Sequence, residues 1–395
     1  MDTIINGSKW LLKLACQAGV ASMLFLAMAP SNAAVATAIG TGNFHSCAAL
    51  STGGAKCWGQ NSYGQLGNGK TVTSLTPVEV QGLSSYQITA IAGGTYFTCA
   101  LTSTGSVYCW GFNNYGQLAS KTLVSSTTPV AVQIPTGAAK ALTVGNNHAC
   151  VLDTYGNIYC WGSNSGGQLN RNVSITHSSI PLYAAGMNDV VALQGNGFTT
   201  CYRDNKGGAK CFGNNKYAQF GIGTKDSTDG ATYGAPNYAL GLSTNVISTS
   251  ASMYDGCAVK DDHAVFCWGF NNTFGALGFT GIGIYSTPVA VLGLRNDAIS
   301  IITGISHTCI ITQSGGAQCW GMNGTGQLGN GRAAPQEAAS DVIGISEKII
   351  SLSLGSNHSC ALLESGTVKC FGQSLSGQLG TGTTLYSPVP VTVPL

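Results

Sequence analysis

Charge is scarce in this chain. Its 395 residues include 17 Lys and Arg and 15 Asp and Glu, 8% in all, with a formal net charge of +2. A balance this near zero supplies no long-range attraction for nucleic acid or an anionic membrane. It also leaves few groups for acid–base chemistry: Glu79, Glu337, Glu347 and Glu364 are scattered with no pairing in sequence. Long apolar runs are equally rare, and the one at Ala18 to Ala29 is too short for a comfortable membrane span. Catalytic signatures are missing: there is no Gly-x-Ser-x-Gly opening a helix, no His-Glu-x-x-His and no phosphate loop ending in Lys-Ser/Thr. Disorder is excluded from the other side, because 44% hydrophobic residues with so little net charge is the wrong composition for it.

Glycine and cysteine are abundant instead, at 55 and 15 residues. Fourteen of the cysteines form pairs ten apart: Cys47 with Cys57, Cys99 with Cys109, Cys150 with Cys160, Cys201 with Cys211, Cys257 with Cys267, Cys309 with Cys319, and Cys360 with Cys370. Successive pairs are spaced by 51 or 52 residues, except for 56 between Cys201 and Cys257. A fixed period near 50 signals a propeller or solenoid and overrules the two or three domains that the length would suggest. The repeats run over about 35–86, 87–138, 139–189, 190–244, 245–297, 298–348 and 349–395 of a single domain, 34–395.

Residues 1–33 differ from the rest. Lys9 and Lys13 precede the apolar run, and Pro30-Ser31-Asn32-Ala33 supplies the small residues that a signal peptidase reads. The pattern predicts a secretory signal cleaved after Ala33, and hence a secreted, periplasmic or cell-surface protein. Cys16 would suit a lipoprotein only poorly, because Lys13 stands where such a site wants leucine and the apolar run follows the cysteine. Removing the signal removes Cys16 and leaves an even number of cysteines, all in the seven pairs, in keeping with an oxidising compartment.

Within a unit the pattern predicts four short antiparallel strands. In the second unit these are a strand opening at Ile88, a hairpin of Phe97 to Leu101 and Val107 to Trp110, and a last strand at Thr128 to Val132 whose Pro129 suits a sheet edge. An offset of ten places the two cysteines of each hairpin directly opposite, at about 4.5–5.5 Å between Cα atoms, which a disulfide spans. Buried free thiols are the alternative, and zinc is disfavoured by the spacing. The closing strand of the last unit, Ser387 to Val393, completes it. The ring can close by moving that strand beside the first unit or by simple packing.

Four features qualify as candidate sites. An aromatic follows every second cysteine (Trp58, Trp110, Trp161, Phe212, Trp268, Trp320, Phe371) and reads as packing between sheets, with a ligand-stacking ring as the sharper alternative. His45, His148, His307 and His358 precede the first cysteine by two residues, while Phe97, Thr199 and Asp255 replace histidine elsewhere. A repeated structural hydrogen bond explains these histidines better than a channel metal. The fourth unit holds an insertion within Gly223 to Leu240, with Asp226, Asp229 and Tyr233, too poor in oxygen ligands for calcium but suited to a contact loop. Tyr63, Tyr115, Tyr217 and Phe274 sit just before the Gly-Gln-Leu step, or the stretch that replaces it, and are either rim contacts or ordinary turn residues.

The small residues, His-Ser/Thr, aromatic-Gly step and Asn-x-x-Gly-Gln-Leu-Gly stretch, clearest at Asn61 to Gly67 and Asn323 to Gly329, resemble the regulator of chromosome condensation repeat. The resemblance covers Val35 to Leu395 and implies an all-β fold, a seven-bladed β-propeller of four-stranded antiparallel blades. It implies no single function: the family includes nuclear exchange factors for a small GTPase, a plant ultraviolet photoreceptor, and beta-lactamase inhibitor protein two, a secreted bacterial inhibitor. The export signal and paired cysteines argue against GTPase exchange on chromatin. What remains is a monomeric, non-enzymatic scaffold that binds a protein partner through loops at one mouth of the ring. It would need no cofactor, metal or nucleic acid and would have no integral membrane segment. An enzyme with a site in the channel, or an inhibitor of an extracellular enzyme, is the alternative.

Overall fold

The computed structural model describes residues 34–187, 189–226, 236–334 and 336–395; the signal sequence expected over 1–33 lies outside them. From Ala34 onward the chain is all β, and each repeat becomes one blade. The first blade has strands Ala36–Thr41, His45–Leu50, Ala55–Gly59 and Ser74–Glu79, paired in sequence order and all antiparallel. The second strand is buried along its whole length in most blades, because blades pack face to face and both faces of a middle strand are covered. The innermost strands surround a channel and the fourth strands form the outer rim.

The cysteine register is the one that the hairpin offset predicts. Cys47 faces Cys57, Cys99 faces Cys109, Cys150 faces Cys160 and Cys201 faces Cys211. In the last three blades Cys257 faces Cys267, Cys309 faces Cys319 and Cys360 faces Cys370. All seven pairs are disulfides, so none of these cysteines is a free thiol. Their Cα atoms are 4.0 to 4.1 Å apart, closer than the 4.5–5.5 Å or so expected of facing residues and nearest the short spacing of a non-hydrogen-bonded pair.

The core lies between blades. Trp110 of the second blade packs among Leu66, Val80 and Leu83 of the first, and its Nε1 donates to Gln65 O at 2.9 Å. The same bond recurs from Trp58 to Gln378 O, Trp161 to Gln117 O, Trp268 to Gln219 O and Trp320 to Ala276 O. Each buried indole therefore has its one donor satisfied by the neighbouring blade, which accounts for the aromatic at that position without a stacked ligand.

The ring closes by packing. Trp58 and His358 join the first blade to the last as their counterparts join other pairs, and Ser387–Thr392 pairs with Val368–Gly372 inside its own blade. The fourth blade departs from the rest. Among the described residues it has three strands, and a single bridge between Lys210 and Tyr238 stands where a fourth strand would be. The returning chain is held by backbone bonds from Ala239 N to Ala209 O and from Ala209 N to Leu242 O, and by side chains. Tyr238 donates to Asp204 at 2.6 Å, and Lys210 lies 4.1 Å above the Tyr238 ring and 3.7 Å from the same carboxylate.

Candidate functional site

One mouth of the ring gathers the loops that the sequence marks. It is the end at which each second strand begins and each third strand stops, since His45 pairs with Gly59 and Phe97 with Gly111. The Asn-x-x-Gly-Gln-Leu-Gly stretch builds this mouth from within. Asn61 is buried: its Oδ1 accepts from Leu66 N, while its Nδ2 donates to Lys70 O and Val72 O. Gln65 Oε1 accepts from Tyr63 N. The same clamp holds the loops of Asn113/Gln117 and Asn164/Gln168. Loop shape is thus fixed by buried amides, and the residues on top are free to vary.

On top of that frame the aromatic side chains converge. Tyr63 and Tyr115, 41% and 44% exposed, are linked through Phe112, whose ring centroid is 4.9 Å from Tyr63 and 6.1 Å from Tyr115. Tyr96 lies 5.0 Å from Tyr63, and Phe44 stacks on Tyr96 at 5.8 Å. Across the ring, Tyr217 meets Tyr254 at 5.2 Å and Phe270 at 5.6 Å. Tyr63/Tyr96/Phe112 and Tyr217/Tyr254/Phe270 are the same three positions, one at the junction of blades one and two and the other at that of blades four and five. The row Tyr63, Tyr115, Tyr217 and Phe274 predicts this mouth but not Phe44, Tyr96, Phe112, Tyr254 or Phe270. Those five occupy positions that hold asparagine, serine, glutamine or methionine in several other units, so their signal is visible only when the units are aligned. Phe274 is half-buried in the loop of blade five, its N–H donating to Asn272 Oδ1 at 2.9 Å. Asp226 is half-buried, with its N–H on Asn215 O. Asp229 and Tyr233 lie outside the described residues.

The four histidines do not meet. Each is buried at a different blade junction, and its Nε2 contacts a hydroxyl of the next blade: His45 on Thr98 at 2.7 Å, His148 on Thr200 at 3.0 Å, His307 on Ser359 at 3.0 Å and His358 on Ser46 at 2.9 Å. Thr98, Ser359 and Ser46 donate their own proton to Gln65 O, Gln327 O and Gln378 O. The proton between ring and hydroxyl therefore sits on Nε2 in these three, and in all four histidines the buried Nδ1 has no partner that would hold a second proton. Burial pushes all four down, His45 and His358 to about 3 and His148 and His307 to about 4.

Two couplings explain where histidine is absent. Where the next blade offers no hydroxyl, at Ala149 and Gly256, the residue is Phe97 or Thr199. The residue three before every ring is glycine (Gly42, Gly94, Gly145, Gly304, Gly355), because an added Cβ would lie 2.2 to 2.7 Å from the ring. Asn196 and Ser252 occupy that place only beside the smaller Thr199 and Asp255. Asp255 is the exception to the first coupling. It precedes a blade with a hydroxyl, Thr308, yet its buried Oδ1 has no partner, and burial pushes its carboxyl up to about 7 against the hydrogen bond from Ser252. We therefore expect Asp255→His alone to destabilise the protein by about 1–3 kcal/mol through overpacking against Ser252. Adding Ser252→Gly should recover most of that loss. Denaturant melts of the three proteins test the rule, and an equal deficit in single and double variants would refute it.

The channel holds a cavity of about 210 Å³. Its polar lining is hydroxyl and amide, including Thr41, Thr143, Gln194, Ser250, Thr303 and Ser353, and no lining residue is titratable. Several of these satisfy one another, as Thr41 with Ser353 and Ser250 with Thr303, both at 2.9 Å. Among the described residues no group of three His, Cys, Asp or Glu is placed to hold a metal ion, and no helix is long and apolar enough to cross a membrane.

Comparison with known proteins agrees with this architecture. Two family models described as the Regulator of chromosome condensation (RCC1) repeat match the chain. One matches at 56–101, 104–152, 262–311 and 314–362, the other at 36–65, 88–117, 139–168, 298–327 and 349–378. Together they leave out the divergent fourth unit. The ultraviolet-B receptor UVR8 of Arabidopsis thaliana is 27% identical over 360 residues, 89% of this chain and 80% of the receptor. The human E3 ubiquitin-protein ligase HERC2 is 26% identical over 85% of this chain, which spans only 7% of the ligase. In structure, Prp20p of Saccharomyces cerevisiae superposes with a TM-score of 0.76 at 21% identity, covering 87% of this chain and 86% of that one.

Proposed function

The chain belongs to the regulator of chromosome condensation (RCC1) repeat family, and on that premise we propose that it is an exported, disulfide-braced propeller that binds a partner protein at its tyrosine-bearing mouth. The observation that carries this reading is the convergence of Tyr63, Tyr96, Phe112 and Tyr115 on loops whose backbones are clamped by buried amides. Aromatic side chains on a preformed surface lose little entropy on docking and are the residues that most often dominate binding energy. The neutral lining of the channel favours binding over catalysis. Seven disulfides and the apolar N-terminal segment favour export to an oxidising compartment, with mature protein starting at Ala34. We read the exported form as a monomer without cofactor.

Two measurements test the proposal. N-terminal sequencing of the protein from an extracellular or envelope fraction should give Ala34 or a close neighbour; intact Met1 in the cytoplasm would end the export reading. Affinity capture with the exported chain should retain one stoichiometric partner, and Tyr63→Ala with Tyr115→Ala should weaken that retention at unchanged melting temperature. A partner lost only in frame variants such as Trp110→Phe would place the contact elsewhere.

A further inference from the structure

The near-zero net charge conceals an excess of basic residues at one mouth. The loops from third to fourth strand carry Lys70, Lys121, Arg171, Lys216, Lys225 and Arg332 against Asp226, with Asp229, outside the described residues, as their one further charge. The buried asparagines hold these loops at the aromatic mouth. Asn61 donates to Lys70 O at 2.9 Å, Asn164 to Arg171 O at 3.2 Å and Asn323 to Arg332 O at 3.1 Å. Asn113 and Asn215 hold Thr122 and Thr224, neighbours of Lys121 and Lys225. At the opposite mouth, acids such as Asp261, Asp262, Glu347 and Glu364 are offset by Lys206, Arg295 and Lys348 and by Lys56, Lys140, Lys210, Lys260 and Lys369 on the adjoining strand ends, so the signs there are near balance.

The two aromatic triads stand three blades apart in a ring of seven, on opposite sides of the same mouth, with the basic residues distributed around them. Building on the binding reading above, we propose that the partner is a protein with an acidic face, which lies across this mouth, seats apolar side chains on both triads and sets its carboxylates against the basic rim. Opposite charge on the approaching faces steers encounter, while the desolvated aromatics supply the affinity. A nucleic acid fits less well. The basic residues come singly around the rim, not in the rows that neutralise a phosphate backbone, and the triad rings pack on one another instead of standing open for bases.

The test pans a displayed library of random short peptides against the exported chain at low and high salt. Enriched peptides should carry more Asp and Glu than Lys and Arg, together with an aromatic or aliphatic residue. A synthetic copy of the strongest should lose about tenfold or more in affinity with Tyr96→Ala or Tyr254→Ala, and a similar amount with Lys70→Glu plus Arg332→Glu. Binding should weaken at high salt and be unmoved by Glu347→Lys plus Glu364→Lys. Melting temperatures of these surface variants verify their folds. Basic or uncharged peptides, or peptides displaced only by changes at the opposite mouth, would overturn the acidic-partner proposal while leaving a binding module in place. Absence of any enriched peptide would count against both. Tighter binding of a short DNA duplex than of any peptide, sensitive to Lys70→Glu, would replace the protein partner with nucleic acid.

Discussion

Lowering the pH from 7 to 4.5 should remove most of this propeller's stability margin. His45, His148, His307 and His358 stay neutral in the folded chain down to about pH 3 or 4, because burial at the blade junctions disfavours the cation. In the unfolded chain they titrate near 6.5, so below that value unfolding takes up four protons. Asp255 works in the opposite direction: its folded carboxyl stays protonated up to about pH 7, and unfolding between about pH 4 and 7 releases that proton. The balance is three protons taken up, which costs roughly 4 kcal/mol of stability per pH unit at about 1.4 kcal/mol per proton. Set against a margin of about 5–15 kcal/mol, this exhausts the smaller margin about one unit below 6.5 and removes about half of the larger by pH 4.5. The histidine slope fades between about pH 6 and 7.5 and outweighs Asp255 throughout, so these five groups should leave stability level above about pH 7.5.

Blade two already contains the control. Phe97 against Ala149 fills the junction that His45 and Thr98 fill one blade earlier, with glycine three residues before the ring in both, at Gly42 and Gly94. His45→Phe with Thr98→Ala should therefore fold and reduce the pH slope by one proton, about a third of the total. Denaturant unfolding at several pH values, analysed for proton uptake, measures this. A stability that stays flat between pH 7 and 4.5, or a slope that the double variant leaves unchanged, would show that the buried histidines do not control acid unfolding.

These junctions also mark how far the sequence can be read. Strands, hairpins and cysteine facing are local, set by residues ten or fewer apart, and the period near 50 makes each of them visible seven times. The partner of each histidine is 52 or 53 residues downstream, and for His358 it is Ser46 at the other end of the ring. Nothing local announces it. The row of tyrosines before the Gly-Gln-Leu step is legible as a row, but the triads form only when Tyr63 meets Tyr96 and Phe112 of the next blade. The basic excess at one mouth is likewise invisible in a net of +2, because its residues come one or two to a repeat and gather only when the blades stand side by side. Ring closure is open in the sequence for the same reason. A closing strand at Ser387 suits either solution, and the choice depends on whether the first blade already has four strands of its own, which it has.

The disulfides should resist reduction until a blade opens. All fourteen paired cysteines are at most 2% exposed, six of the pairs packed with the aromatic of the adjoining blade and Cys309–Cys319 with its aliphatic side chains, so a dissolved thiol cannot reach the sulfur in the folded ring. Under native conditions at neutral pH, reduction should be slow and should track local opening; in denaturant it should be prompt. Each bridge closes a loop of eleven residues, worth roughly 3 kcal/mol in the chain-entropy model. Replacing Cys99 and Cys109 together by alanine should cost about 2–4 kcal/mol, and replacing one alone about as much, since the surviving sulfur gains no partner. The seven contributions will not add, because adjacent blades share one packed junction and a loosened blade weakens both neighbours. The fully reduced protein should melt lower but still fold, since the junction bonds of Trp110 and His45 and the interblade core do not depend on sulfur. Peptide mapping without reductant should find only links within blades, such as Cys150 to Cys160, Cys201 to Cys211 and Cys360 to Cys370. A predominance of links between blades, or rapid native reduction of all seven bridges at once, would show that the hairpins are not closed and buried as described.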